Sequence, residues 1–253
     1  QWFGNLVTME WWDDLWLNEA FATWMGQKVV QNLYPTYREE LAALESVQSA
    51  MGSDSLVTAR QIRQPIESND DIRNAFDSIT YRKGGGVLSM FERWMGAETF
   101  QRGIRQYMET HAWGNATYTD LLSALSESSG RDVATPFRTF LFQPGLPFLN
   151  AQVACGDDAA TVTLTQSRYL PIGSTGDAAQ EWKLPVCVRY GLGREVKTQC
   201  ELVESRAHTM TLEGCPSWVM PNADGAGYLR FNLDDEWLGK LMGAGWSKLT
   251  ERE

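Results

Sequence analysis

A change of hydrophobic period partway along the chain limits its fold more than any other feature. Up to about Pro144 the apolar residues recur at helical spacing, and beyond the breaker cluster Gln143-Pro144-Gly145-Leu146-Pro147 they alternate with polar ones. Leu41, Leu44 and Val47 mark one helix. Val87, Leu88, Phe91, Trp94 and Met95 mark a second, and Phe100, Ile104, Tyr107 and Met108 a third. Residues 120–125 and 133–142 complete a first part that is expected to be all helical. Residues 149–154, 160–167, 182–190, 196–203, 209–213, 218–220 and 227–232 then read as short strands separated by turns, the pattern of a small antiparallel sandwich or barrel. Helical spacing returns at Trp237, Leu238, Leu241 and Met242.

A length of 253 residues suits one large domain or two ordinary ones, and 43% apolar content with 11 Trp is ample for a core. The 32 acidic residues against 22 basic ones give a net charge of −10, with no Lys/Arg cluster, so nucleic acid is not an expected partner. No apolar run approaches the ~18 residues of a membrane span, and no signal peptide opens the chain. Gln1-Trp2-Phe3-Gly4 instead begins on two large aromatics without a polar lead-in, as a cut through a structured element would. The chain therefore reads as a fragment, and the missing signal peptide says nothing about compartment.

All four cysteines lie in the strand-rich part and none forms a Cys-x-x-Cys pair, so a structural metal is not expected. If a hairpin turns near residues 191–193, Cys187 and Cys200 fall opposite each other, leaving Cys155 and Cys215 as a second pair. Four buried thiols are the equal alternative. The cysteines lean towards an oxidising compartment, periplasmic or extracytoplasmic, with a cytoplasmic one left open.

The run Leu15-Trp16-Leu17-Asn18-Glu19-Ala20-Phe21-Ala22-Thr23-Trp24-Met25 is apolar on almost every helical face, which is the mark of a buried helix. An acid there is costly unless it is paired or metal-bound. Glu19 is thus a candidate ligand or catalytic group, or one half of a structural ion pair with an arginine. Trp12-Asp13-Asp14 just before the run is an N-cap signal: the helix is expected to start near Asp14, with Asp13 as a capping rather than a catalytic acid. Lys83-Gly84-Gly85-Gly86 lacks the order of a phosphate-binding loop.

Gln1-Trp2-Phe3-Gly4-Asn5-Leu6-Val7-Thr8-Met9 followed by Trp12-Asp13-Asp14-Leu15-Trp16-Leu17-Asn18-Glu19-Ala20-Phe21-Ala22 resembles the zinc-site region of the aminopeptidase N family, the gluzincin metallo-aminopeptidases. Phe76-Asp77-Ser78-Ile79-Thr80-Tyr81-Arg82-Lys83-Gly84 is similar to the segment that carries the family's catalytic Tyr. His111-Ala112-Trp113-Gly114-Asn115-Ala116-Thr117, Gln143-Pro144-Gly145-Leu146-Pro147, Val219-Met220-Pro221-Asn222-Ala223 and Gly227-Tyr228-Leu229-Arg230 match further signatures, in family order, over nearly the whole chain. Departures are mild: Ala20 stands where Gly is common, Gly85 and Gly86 where Ala and Ser are, and Arg63-Gln64-Pro65-Ile66 where a His-Pro-Ile run is frequent.

The resemblance implies an α+β multidomain fold. Residues 1–146 would be the C-terminal helical part of a thermolysin-like catalytic domain, 147–232 a small antiparallel β-sandwich and 233–253 the start of a helical domain. It implies a zinc-dependent hydrolase of N-terminal amino acids, with one Zn2+ in the complete protein and peptides with a free N-terminus as substrates. Glu19 would be a zinc ligand and Tyr81 the oxyanion stabiliser, with Asn18 supporting or structural and His111 structural. The family's His-Glu-x-x-His motif, counted back from Glu19, would end just before Gln1, and its Gly-x-Met-Glu-Asn amine-binding segment is also absent. The isolated chain is therefore expected to hold zinc poorly and to be inactive. The alternatives are a non-catalytic binding or scaffold module, which exposed Trp on a flat strand face would favour and the expected inward-facing, core-packed Trp182 and Trp218 would not, a metal-less relative, or a dual-function, leukotriene-hydrolase-like member.

Overall fold

The computed structural model, which describes residues 1–253, mixes helix and sheet in two units, Gln1–Gly145 and Leu146–Glu253. In the first unit α1 (Leu15–Leu33) follows a short turn, Trp12–Asp14. It is succeeded by α2 (Glu39–Asp54), α3 (Asn69–Ala75), a π-helical turn Ile79–Lys83, α4 (Gly84–Met95), α5 (Ala97–Thr110), α6 (Tyr118–Ser129) and α7 (Ala134–Leu141). This unit is not all helical. Strand β1 (Val7–Met9) runs parallel to β2 (Gly114–Ala116), pairing Val7 with Gly114 and Met9 with Ala116. Three-residue strands carry too little alternation to show a period.

The buried face of α1 is Leu15, Trp16, Leu17, Ala20, Phe21 and Trp24, whereas Ala22 is exposed and Asn18 and Glu19 are half-buried. The helix is therefore not enclosed on all sides, and Glu19 stands at the edge of its buried face. Trp16 meets Phe137 of α7 at 5.7 Å between ring centroids, and Phe137 meets Phe91 of α4 at 4.5 Å, which ties three helices into one aromatic core.

Where α4 begins, a Cβ on Gly84 would lie 2.7 Å from the Ala20 Cβ of α1, so the Ala20 methyl packs directly against the Gly84 backbone. Neither methyl could rotate away. Gly84→Ala is expected to lose stability on the order of 1 kcal/mol net, overpacking costing about 1–3 kcal/mol and the better helix propensity of alanine returning about 1 kcal/mol. Chemical unfolding of Gly84→Ala, with Ala20→Gly as suppressor, checks this; an unchanged midpoint would refute the close packing.

The second unit holds strands β3 (Pro147–Cys155), β4 (Ala159–Arg168), β5 (Leu184–Leu192), β6 (Glu195–Val203), β7 (Ala207–Glu213), β8 (Trp218–Met220) and β9 (Arg230–Leu233), then α8 (Asp235–Lys240). They form two sheets, ordered β7-β4-β3-β9 and β6-β5-β8. The pairing is antiparallel except between β3 and β9, which run parallel, so the unit is not wholly antiparallel. Two strands begin later than the alternation predicts. Trp182 exchanges its backbone bonds with the Gln166 amide (N to Oε1 2.9 Å, Nε2 to O 2.8 Å), and Gly227 N donates to Asn222 Oδ1 at 2.8 Å to close a loop. Backbone groups satisfied by side chains are withdrawn from the ladder.

The turn between β5 and β6 sets Cys187 opposite Cys200, and these two cysteines are disulfide-bonded, as are Cys155 and Cys215.

Candidate functional site

The site is built from α1 and the π-helical turn. Glu19 lies just beyond the first turn of α1, and Tyr81 occupies the middle of the turn Ile79–Lys83; the Tyr81 phenol comes near enough to the Glu19 carboxylate for the acid to act on its proton. The partner of the acid is thus a phenol, not the arginine a structural ion pair would need. Partial burial and the neighbouring Glu19 carboxylate together push the Tyr81 phenol up to about 12. At neutral pH the phenol is therefore a hydrogen-bond donor.

That shift has a sign for stability. Unfolded, the phenol loses its proton near 10; folded and metal-free, it keeps it to about 12. Its contribution is fully present below pH 10 and is lost as pH rises through the folded value. Tyr81→Phe is expected to show a shallower fall in stability than the parent chain across that alkaline window, measured by urea unfolding at fixed pH steps. Parallel curves would contradict it.

Asp14 directly precedes α1 but makes no side-chain cap bond. Its carboxylate instead accepts from Arg63 Nε at 2.8 Å, Trp16 Nε1 at 3.3 Å and Tyr118 N at 3.3 Å. Burial raises its pKa, against the opposing pull of Arg63. Asp13 is not a helix cap either: its Oδ1 accepts from Ile66 N at 2.8 Å, and Arg63 stands 3.5 Å from Oδ2. The two acids stitch the loop between α2 and α3 onto the start of α1, a long-range task that a local cap signal conceals. Asn18 lies beside Gly4, its Nδ2 3.7 Å from where a Cβ on that glycine would be.

Each histidine has its own partners. His111 sits 4.0 Å from Asp120 Oδ1 and next to the Tyr107 ring, while His208 on β7 pairs with Glu201 at 2.8 Å. No group of three or more His, Cys, Asp or Glu side chains is arranged to hold a metal ion. Trp182 and Trp218 are both buried.

Two ion pairs that flank the Tyr81 turn are among those the sequence does not announce. Lys83 Nζ and Asp54 Oδ2 are 2.8 Å apart with both side chains fully buried. Arg60 forks onto Asp77, with Nε 3.0 Å from Oδ2. The available signal for the first was a lysine running straight into the apolar stripe of α4. For the second it was Asp77 placed before Ile79 and Thr80, where a carboxylate can take their amides.

The chain matches the model described as the peptidase family M1 domain over residues 1–140. It is 34% identical over 246 residues to Aminopeptidase 2 of Candida albicans, covering 97% of this chain and 26% of that protein. It is 34% identical over 268 residues to Aminopeptidase M1 of Arabidopsis thaliana, covering 100% of this chain and 29% of the relative. It is 41% identical over 182 residues to the alanine/arginine aminopeptidase of Saccharomyces cerevisiae, covering 72% of this chain and 20% of that protein. Relatives named as aminopeptidases thus match the chain along almost its whole length. The chain belongs to peptidase family M1. It spans about a quarter of the length of the curated relatives it matches. No helix is long and apolar enough to cross a membrane.

Proposed function

We propose that this chain supplies one ligand and one transition-state donor to a zinc-dependent aminopeptidase, which removes N-terminal amino acids from peptides through a metal-activated water. The observation that carries this reading is that Tyr81, on a separate segment, comes into the neighbourhood of Glu19 at the edge of the buried face of α1. Glu19 presents a half-buried carboxylate, a suitable oxygen donor for zinc. Catalytic zinc takes three protein ligands, and this chain carries only two histidines and no His-Glu-x-x-His motif. Two imidazole ligands and the general base belong to other parts of a longer polypeptide.

When bound, zinc acts as a Lewis acid and lowers the pKa of its water towards ~7. The rest is the work of this chain. Glu19 would be the residue of this chain that holds the metal. Tyr81, protonated far above neutrality, donates to the oxygen of the scissile carbonyl as negative charge gathers there. The domain reading is 1–146 as helical catalytic part, 147–232 as β-sandwich and 233–253 as the start of a helical domain. The binding-module alternative needs Trp182 and Trp218 on an open face, and both are core residues.

The purified 253-residue chain is expected to show little or no zinc affinity by calorimetry and no cleavage of an amino-acyl arylamide. Stoichiometric zinc together with turnover would overturn this division of the site. In the complete protein, Glu19→Gln is expected to lower the zinc content, and full retention of zinc there would remove Glu19 from the ligand set.

A further inference from the structure

The π-helical turn that carries Tyr81 is fastened at both ends by ion pairs reaching it from elsewhere in the sequence. On its N-terminal side Asp77 Oδ1 accepts from Ile79 N at 2.8 Å and Thr80 N at 3.2 Å. Arg60 holds that carboxylate, and its Nη2 also donates to Thr80 Oγ1 at 2.8 Å and Ala75 O at 3.1 Å. Arg60 Nη1 reaches Gln61 O at 2.9 Å, so the guanidinium is spread over several segments at once. On the C-terminal side Lys83 is wholly buried. Its ammonium meets Asp54 Oδ2 at 2.8 Å and donates to Gly145 O at 2.9 Å, while Gly145 N donates to Asp54 Oδ1 at 2.9 Å.

Stability alone does not account for such an arrangement. A fully buried ion pair recovers little more than its own desolvation, and an apolar pair of similar volume is often as stable or more so. What a buried pair can supply is a unique geometry. The turn between the two anchors is of a kind that is rare, occurs mostly as single-turn bulges and is frequent at functional sites. Ile79, Thr80 and Lys83 are buried and Arg82 is exposed, which leaves Tyr81 as the half-buried side chain of the turn and the one near Glu19.

We infer that Arg60–Asp77 and Lys83–Asp54 are positioning residues for Tyr81, a two-ended clamp that holds its hydroxyl at the edge of α1 that carries Glu19. The inference builds on the role given to Tyr81 above, but its test reads the place of the phenol and not catalysis. Should Tyr81 have no part in peptide hydrolysis, the clamp would still be seen or refuted by the same measurement.

The full chain is labelled with 3-fluorotyrosine, its fluorine NMR line for Tyr81 is assigned with Tyr81→Phe, and Glu19→Gln gives the shift that depends on the Glu19 contact. The variant Asp54→Leu/Lys83→Met replaces the buried pair by apolar side chains of similar volume. In the folded variant, the Glu19-dependent shift of Tyr81 is expected to be lost while the lines of Tyr107 and Tyr190 stay in place. Arg60→Lys, which keeps the charge but removes the fork, is expected to have the same effect from the other end, and it decides the matter if the double variant does not fold. Folded variants that keep the whole Glu19-dependent shift would overturn the proposal.

Discussion

Tyr81→Phe in the complete enzyme is expected to lower kcat by about 10²–10³, the usual cost of removing one preorganised donor from an oxyanion site. The change deletes one oxygen and keeps the ring, so the half-buried position of the side chain on the π-helical turn is preserved. Because the donated hydrogen bond matters most when charge develops on the carbonyl oxygen, the loss should fall on kcat and leave KM much less affected. Zinc content should be unchanged, since the proposed ligand is Glu19 and not Tyr81. Steady-state kinetics with an amino-acyl arylamide, run beside a metal assay, separates these effects. A drop of less than about tenfold would leave Tyr81 as a structural aromatic, because one oxyanion donor is expected to matter far more.

Lys83→Met is expected to destabilise the helical unit by about 3–5 kcal/mol, since removing one partner leaves the other charge buried without its counter-ion. Lys83 and Asp54 are both fully buried, so water does not replace the lost ammonium. Adding Asp54→Leu should recover much of the loss, because the charge that made the single variant costly is then gone as well. Guanidinium unfolding of both single variants and the double variant forms a cycle whose coupling term is the direct readout. Additive losses, with no recovery in the double variant, would show that the pair is not coupled through its charges.

Much of the architecture can be read in the residues because it depends on local pattern. The start of α1 after Asp14, the stripe of α4 and the strand Trp218–Met220 all follow from periods and breakers. The features that escape depend on distant partners. The β1–β2 pairing joins segments that are each too short to alternate, and the parallel β3–β9 pairing depends on the return path of the chain. Asp13 and Asp14 look like caps because a cap is the local use of an Asp, yet Ile66, Arg63 and Tyr118 claim them across long stretches of chain. At the site, Glu19 stands out for its apolar company and Tyr81 only through its resemblance to a known segment. The Lys83–Asp54 pair is the least visible, since lysine is almost never fully buried unless paired and nothing near Asp54 announces the partner.

The role of Gly145 in the Lys83–Asp54 knot decides where this polypeptide can be divided. Gly145 has a left-handed backbone (φ +86°) that disfavours other residues, and it bonds Asp54 through its amide and Lys83 through its carbonyl. Gly145 is therefore part of the interior of the helical unit, although the cluster around it has the composition of a linker. A chain shortened to Gly145 keeps both bonds, whereas one shortened to Phe142, only three residues earlier and still containing every helix of α1–α7, loses both. The boundary that a protease or an engineer could use without loosening the turn beneath Tyr81 thus lies after Gly145, not at the end of the last helix.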